Sequence, residues 1–290
     1  MWFRLSLMAL WLAGWLMVGI AGRAAAAPPK IYIVTDLEGA SGVYKFAQSY
    51  GKDSPLGQKA LEYLMGDIAA VVRGLRDAGA GEIIVYDGHG VRTLVPHLME
   101  PGAKYVTSER GAKHPSDPPD SYFMWGLDES YAGLVFVGLH AMMGTPDGVL
   151  NHTRDSVRRS RYWYNGVESG ELAQGAAYAG HYGVPPIMVT GDEATCREAR
   201  KFFGDSCVTV AVKKGLAREA AVLYPFAETR QALYEGAKRA VAVIPQCKPY
   251  TLQLPIQAKK QHLLSEGPDK KPRLVTEEGT IPDALHIFDF

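Results

Sequence analysis

The sequence predicts an open α/β fold, a mostly parallel sheet with helices on both faces, joined to a smaller C-terminal α+β portion. Two observations carry that reading. Short apolar runs alternate with stretches of helical periodicity from Lys30 to Val243. Three of the runs also stop abruptly at an acidic or imidazole side chain, which is how strands of an open sheet deliver polar groups to a crevice at their carboxyl ends. At 290 residues and 47% hydrophobic, the chain can bury one sizeable core. Residues 28–245 read as one domain, and 246–290 as an extension or small lobe of it.

Residues 1–27 read as an export signal rather than as part of the fold. Arg4 precedes an apolar run over residues 5–21, and Ala24, Ala25, Ala26 and Ala27 supply the small residues a signal peptidase needs before Pro28 and Pro29. Cleavage after Ala27 is expected, with a mature protein that is periplasmic or secreted and has no stable membrane association. An uncleaved anchor is the alternative, because the run nearly reaches bilayer-spanning length.

The first strand, residues 30–35 (KIYIVT), ends at Asp36-Leu37-Glu38-Gly39. Leu61, Leu64, Met65, Ile68, Val72 and Leu75 then recur at helical spacing until Gly79. A second strand, residues 82–86 (EIIVY), stops at Asp87-Gly88-His89. Residues 99–128 hold Pro101, Pro115, Pro118 and Pro119 among polar neighbours, an irregular excursion of the kind that shapes a site or an interface. A third strand, residues 133–139 (GLVFVGL), stops at His140. An alanine-rich helix spans 171–180, a buried strand 184–190, and Asp192 reads as the N-cap of the next helix, which carries Cys196 and Phe202. Residues 208–212 alternate as a strand, and 226–243 form an amphipathic helix with Leu233, Ala237, Ala240 and Val241 inward. The closing IFDF, residues 287–290, is strand-like. There is no internal repeat or low-complexity tract.

Composition narrows the function classes. Thirty-one basic residues against 31 acidic ones leave no net charge, which argues against nucleic acid as a partner. The pairs Lys259-Lys260, Lys270-Lys271 and Lys213-Lys214 read as solvated loops. Cys196, Cys207 and Cys247 cannot all pair within one chain, and no C-x-x-C spacing exists to hold zinc. The glycines around residues 87–90 make no G-x-G-x-x-G, and neither a phosphate-binding G-x-x-x-x-G-K-[ST] nor a G-x-S-x-G nucleophile elbow occurs.

Asp36, Glu38, His89, His140 and Glu171 remain as a set of metal-ligand side chains suited to a two-metal hydrolytic site. Each has a plainer role. Asp36 and Glu38 can cap a helix or fill a turn. On a chain still extended, however, spacing two points both the same way, and without a cation one of two crowded carboxylates takes a proton. His89 and His140 can be core or loop histidines, and Glu171 a carboxylate at a helix N-terminus. Asp87 either orients His89 or fills a turn. His152 follows a turn-rich stretch and sits in an Asn151-His152-Thr153 sequon read as incidental.

Five stretches carry a resemblance. They are TDLEGASG (35–42), VYDGH (85–89), VFVGLHA (135–141), TPDGVLNHT (145–153) and GELAQGAAYAGHYGVPPIMVTGD (170–192). In order and spacing the chain resembles the DppA-like D-aminopeptidases, dizinc metallopeptidases of bacteria, from about Ile31 to Ala240, fading beyond Gln246. The resemblance implies two Zn2+ ions per chain, with Asp36 bridging, Glu38 and His140 completing one site and His89 and Glu171 the other. It places His152 at the family's catalytic histidine, read as a proton shuttle or a donor to the developing oxyanion. It further implies a homo-oligomer that removes N-terminal residues, D-residues by preference, from short peptides, with metal-activated hydroxide as the nucleophile. Outside the cytoplasm such substrates include D-alanine-containing fragments of the cell wall. Two other classes stand beside this one: a non-catalytic peptide-binding protein of the same fold, and a metal-dependent phosphoesterase using the same ligand types.

Overall fold

The computed structural model describes residues 27–290 apart from 52, 91–92, 108–113, 115–122, 266 and 268–269. The expected export signal thus lies outside the described residues, save Ala27. In chain order the elements are β1 (Lys30–Thr35), α1 (Phe46–Tyr50), α2 (Pro55–Asp77), β2 (Ile83–Asp87), β3 (Lys104–Val106) and β4 (Tyr131–Val137). They continue with β5 (Arg161–Tyr164), β6 (Val167–Glu168), α3 (Glu171–His181), β7 (Pro186–Asp192), α4 (Glu193–Phe203), β8 (Val208–Ala217) and β9 (Ala220–Leu223). Helix α5 (Phe226–Val243) and the hairpin β10 (Ile256–Leu264) and β11 (Arg273–Ile281) complete the chain.

Seven strands form the main sheet in the order β3-β2-β1-β4-β7-β8-β9, parallel except for β9. Strands β2 and β7 are buried throughout, as near-continuous apolar runs covered on both faces require. Alternation along β1 divides the core. Ile31 and Ile33 face α2 and α5 with Leu64, Ile68, Leu75, Leu233 and Ala237. Tyr32 and Val34 face the other way, toward Leu172, Ala176 and Ala179 of α3 and Ala199 of α4. Helix α2 starts where Ser54 accepts from Gly57 N (3.0 Å), with Pro55 at its first position. Asp192 caps α4 as expected, accepting from Thr195 N at 2.7 Å.

Three expectations need correction. The excursion over 99–128 contains β3, which extends the sheet beyond β2 with Ile84 opposite Lys104. The Lys259-Lys260 pair lies in β10, where Lys259 Nζ sits 4.2 Å from the Trp163 ring centre and Lys260 is 3.7 Å from Glu277. IFDF is not a strand: it follows a 3-10 turn (Ala284–His286) begun by Asp283, which accepts from Leu285 N at 2.9 Å. Its apolar residues are satisfied by tertiary burial instead, Ile287 against Tyr162 and Tyr164 and Phe288 against Phe123 and Tyr178.

Strands β10 and β11 do not stand apart from the domain. They join β5 and β6 in a second sheet, ordered β11-β10-β5-β6, with Ala258 opposite Tyr164. The C-terminal residues thereby pack beside α3, the helix that opens with Glu171. No helix among the described residues is long and apolar enough to cross a membrane.

Candidate metal centre

Strands β1, β4 and β7 end side by side, and their backbones stay joined past the last ladder residues. Asp36 N donates to Val137 O (2.8 Å), Gly39 N to Gly138 O (2.7 Å) and Leu139 N to Thr190 O (3.0 Å). Glycine permits this closeness. A Cβ at Gly39 would stand 1.8 Å from Leu139 O, one at Gly138 2.3 Å from Asp36 O, and one at Gly191 2.2 Å from Leu139 O.

On this floor the structure brings all five expected ligand residues together. His89 Nδ1 is 3.1 Å from Asp36 Oδ1 and 3.3 Å from Glu38 Oε2. His140 Nε2 is 3.3 Å from Asp36 Oδ2 and 3.6 Å from Glu171 Oε1. Asp36, Glu38 and His140 each offer a donor atom within 4.8 Å of the others, and so do His140, His152 and Glu171. Asp36 and Glu38 meet by a route other than the expected one: the chain turns directly after β1 instead of staying extended.

Deep burial makes this cluster unstable by itself. Neither Glu38 oxygen nor His140 Nε2 has a hydrogen-bond partner among the described residues, although all three are shielded from water. The short approaches to His89 and Asp36 are charge contacts without hydrogen-bond geometry. Such orphaned groups cost about 1–3 kcal/mol each, more when charged. Burial and the neighbouring Glu38 lift the Asp36 carboxyl to about 7. Burial also opposes charge on Glu38, but His89, His152 and His140 outweigh it and hold that carboxyl below its usual range. Desolvation works against a cationic His140, and Glu171, Asp36 and Glu38 overcome it, raising the ring to about 9. Without a metal the cluster holds protons where a cation would sit.

Ring orientation fits ligation. A carbonyl can only accept, so the contact of His140 Nδ1 with Ala141 O (3.0 Å) places a proton on Nδ1 and aims Nε2 into the cluster. The same logic applies to His152, whose Nδ1 meets Leu150 O at 2.9 Å. Its ring stacks on His140 with centres 4.0 Å apart, and its Nε2 lies 3.8 Å from Glu171 Oε1. Burial and His140 both push the pKa of His152 down, leaving a neutral Nε2 facing the carboxylates. The Asp87 carboxylate accepts from Thr93 N (2.9 Å) and Thr93 Oγ1 (2.7 Å).

Two supporting residues escape sequence reading, and a third does more than expected. Lys213, expected in a solvated loop, is fully buried, and its ammonium donates to Glu38 O (2.6 Å), Ala40 O (2.8 Å) and Val43 O (2.6 Å). Pairing slips between Gly191 and Asp192, so that Asp192 opposes Lys213, and Val212 and Lys213 both turn inward. Arg154, at φ 64°, donates its backbone N–H to Glu171 Oε1 at 2.6 Å. Asp192 takes a second bond, from Val149 N at 2.6 Å, tying the loop before His152 to α4.

A cluster of carboxylates and imidazoles at the carboxyl edge of an open α/β sheet defines a metal-dependent hydrolase as the class. Residues 30–263 match the model of peptidase family M55, D-aminopeptidase, and the chain belongs to that family. The match runs into β10, beyond Gln246, where the resemblance was expected to fade. A D-aminopeptidase of Bacillus subtilis (strain 168) is 27% identical over 230 residues, 77% of each chain. Among solved structures, the Zn-dependent D-aminopeptidase DppA from Bacillus subtilis, a self-compartmentalizing protease, superposes with a TM-score of 0.78. It is 24% identical, over 90% of this chain and 94% of that one.

Proposed function

We propose that the chain is an exported, zinc-dependent aminopeptidase that releases N-terminal D-amino acids from short peptides. The carrying observation is the orphaned, buried set of Glu38 oxygens and His140 Nε2 between Asp36 and Glu171, in a chain of this peptidase family. Buried carboxylate and imidazole donors without a hydrogen-bond partner are what a zinc site presents. Asp36, Glu38, His89, His140 and Glu171 would hold the two ions between them. When bound, zinc supplies Lewis acidity toward the scissile carbonyl and lowers the pKa of water toward neutrality.

The chain's own groups do the rest. Arg154 N fixes the Glu171 carboxylate, and the Leu150 carbonyl fixes the His152 ring. His152 takes and returns a proton at Nε2, the nitrogen that faces the carboxylates. Zinc-loaded protein should cleave D-Ala p-nitroanilide faster than the L-isomer and leave N-acetyl-D-Ala p-nitroanilide intact. Equal rates on free and blocked substrates would remove the aminopeptidase reading; faster L-Ala cleavage would remove only its handedness. His152→Ala should lose turnover by about 10²–10⁴-fold and keep its zinc. Zinc loss as complete as that of His89→Ala would make His152 a ligand.

Zinc uptake should release protons, because Asp36 near 7 and His140 near 9 are partly or wholly protonated in the metal-free protein at pH 7. A group whose pKa is raised in the metal-free site competes with the cation below that pKa, so affinity should rise with pH through 7 and level off above 9. Calorimetry in buffers of different ionisation enthalpy reads this directly; heats that ignore the buffer would contradict it.

Export is supported by the alanine-rich boundary before Pro28 and Pro29. Mass spectrometry of the protein recovered outside the cytoplasm should find Pro28 at its start. An intact Met1 in a detergent-requiring fraction would mean an anchor. A homo-oligomer accords with the self-compartmentalizing solved relative.

A further inference from the structure

Beside the metal ligands lies a cavity of about 40 Å³. Asp36 and Glu171 line its polar side, and Phe123, Phe136, Leu139 and Phe288 its apolar side. By that measure it holds roughly three water-sized spheres. A polar mouth at the reacting groups with an apolar end is the usual build of a side-chain pocket.

We infer that this cavity receives the side chain of the residue being released, and that Phe288, from the C-terminal segment, is the wall that restricts it to small aliphatic side chains. The inference rests on the aminopeptidase reading above and adds to it a size limit and the residue that sets it. Phe288 and Phe123 pack with ring centres 4.1 Å apart, so the wall is an aromatic pair contributed by two segments remote in sequence. The pair is anchored to the metal centre. Arg154, whose backbone holds Glu171, donates through its guanidinium to the Phe288 carbonyl and lies 5.6 Å from the Phe288 ring centre. Fully buried Ile287, whose carbonyl accepts from Tyr164 Oη at 3.3 Å, fixes the residue before it.

A released residue with its amine and carbonyl at the metal centre projects its side chain into this space. Methyl or ethyl enters freely, whereas isobutyl or benzyl meets the Phe288 and Phe123 rings. Each methylene refused or admitted by such a pocket is worth roughly 10–200-fold in specificity.

The test uses zinc-loaded full-length protein with unblocked alanyl, 2-aminobutyryl, leucyl and phenylalanyl p-nitroanilides of the handedness the wild type prefers. Wild-type kcat/KM should fall at least tenfold from alanyl to leucyl. Phe288→Ala should raise the leucyl-to-alanyl ratio by at least tenfold at unchanged zinc content. Phe288→Leu, which keeps an apolar residue against Phe123, covers the case in which the alanine variant does not fold, and should move the ratio several-fold in the same direction. A purely structural Phe288 would lower every substrate in parallel, and an unchanged ratio in the folded variant overturns the inference. If the wild type cleaves none of these amides, the aminopeptidase reading fails separately. Calorimetric affinities of free alanine and leucine for the same zinc-loaded proteins then decide the pocket, an unchanged leucine-to-alanine ratio again overturning it.

Discussion

Replacing His140 with alanine should abolish hydrolysis and empty the centre of metal more completely than replacing His89. His140 is the residue common to both close donor groups, Asp36-Glu38-His140 and His140-His152-Glu171, whereas His89 stands beside Asp36 and Glu38. An open catalytic zinc has about three protein ligands, and the His140 ring lies against both Asp36 and Glu171, so its loss takes one donor and loosens two more. A lost Lewis acid is worth several kcal/mol in the transition state; at about 1.4 kcal/mol per decade, kcat/KM should drop on the order of 10³-fold or more. Zinc per chain, measured by elemental analysis, should fall below that of His89→Ala. A His140→Ala protein that retains both metals would show that the donor groups are held by other residues.

Lys213→Met should weaken the fold and the metal site together. Burial pushes the ammonium of Lys213 down to about 8, against the pull of Asp192, Asp67, Glu38 and Asp36, and at neutral pH it remains charged. All three of its N–H donors are committed to carbonyls of the loop that carries Glu38. Methionine fills similar space but strands those carbonyls and leaves several buried acids without their cation. Removing one partner of a buried charged arrangement costs about 3–5 kcal/mol. Thermal unfolding should register that loss, and zinc affinity should fall about 10–100-fold, as when residues that orient ligands are removed. Wild-type values for both would leave Lys213 without a positioning role.

Much of this was legible in the residue string, and the exceptions have physical causes. The limits of β1 and α5 follow from strong apolar periodicity, and Asp36, Glu38, His89 and His140 stand just past the places where apolar runs stop. Strands β10 and β11 gave no such signal, because lysines, glutamates and glutamine fill positions where a half-exposed antiparallel strand faces water. Lys213 was hidden by the pairing slip beside Asp192, which breaks the alternation that would otherwise put residue 213 outside. Arg154 and Phe288 were hidden more deeply: one acts through a backbone N–H, the other through a meeting of chain segments that no local pattern encodes.

The three glycines at the ends of β1, β4 and β7 leave the loops no slack. With backbone atoms where side chains would be, Gly39, Gly138 and Gly191 weld Asp36, Glu38 and His140 to the sheet itself. Ions arriving there would meet donors already in position, and uptake would spend little on reorganisation. Entry and exit must then be the business of the walls. The C-terminal segment is held over the floor by side-chain contacts from Arg154 and Phe123 rather than by a shared ladder. Any movement that admits a peptide would then fall to that wall rather than to the floor beneath it.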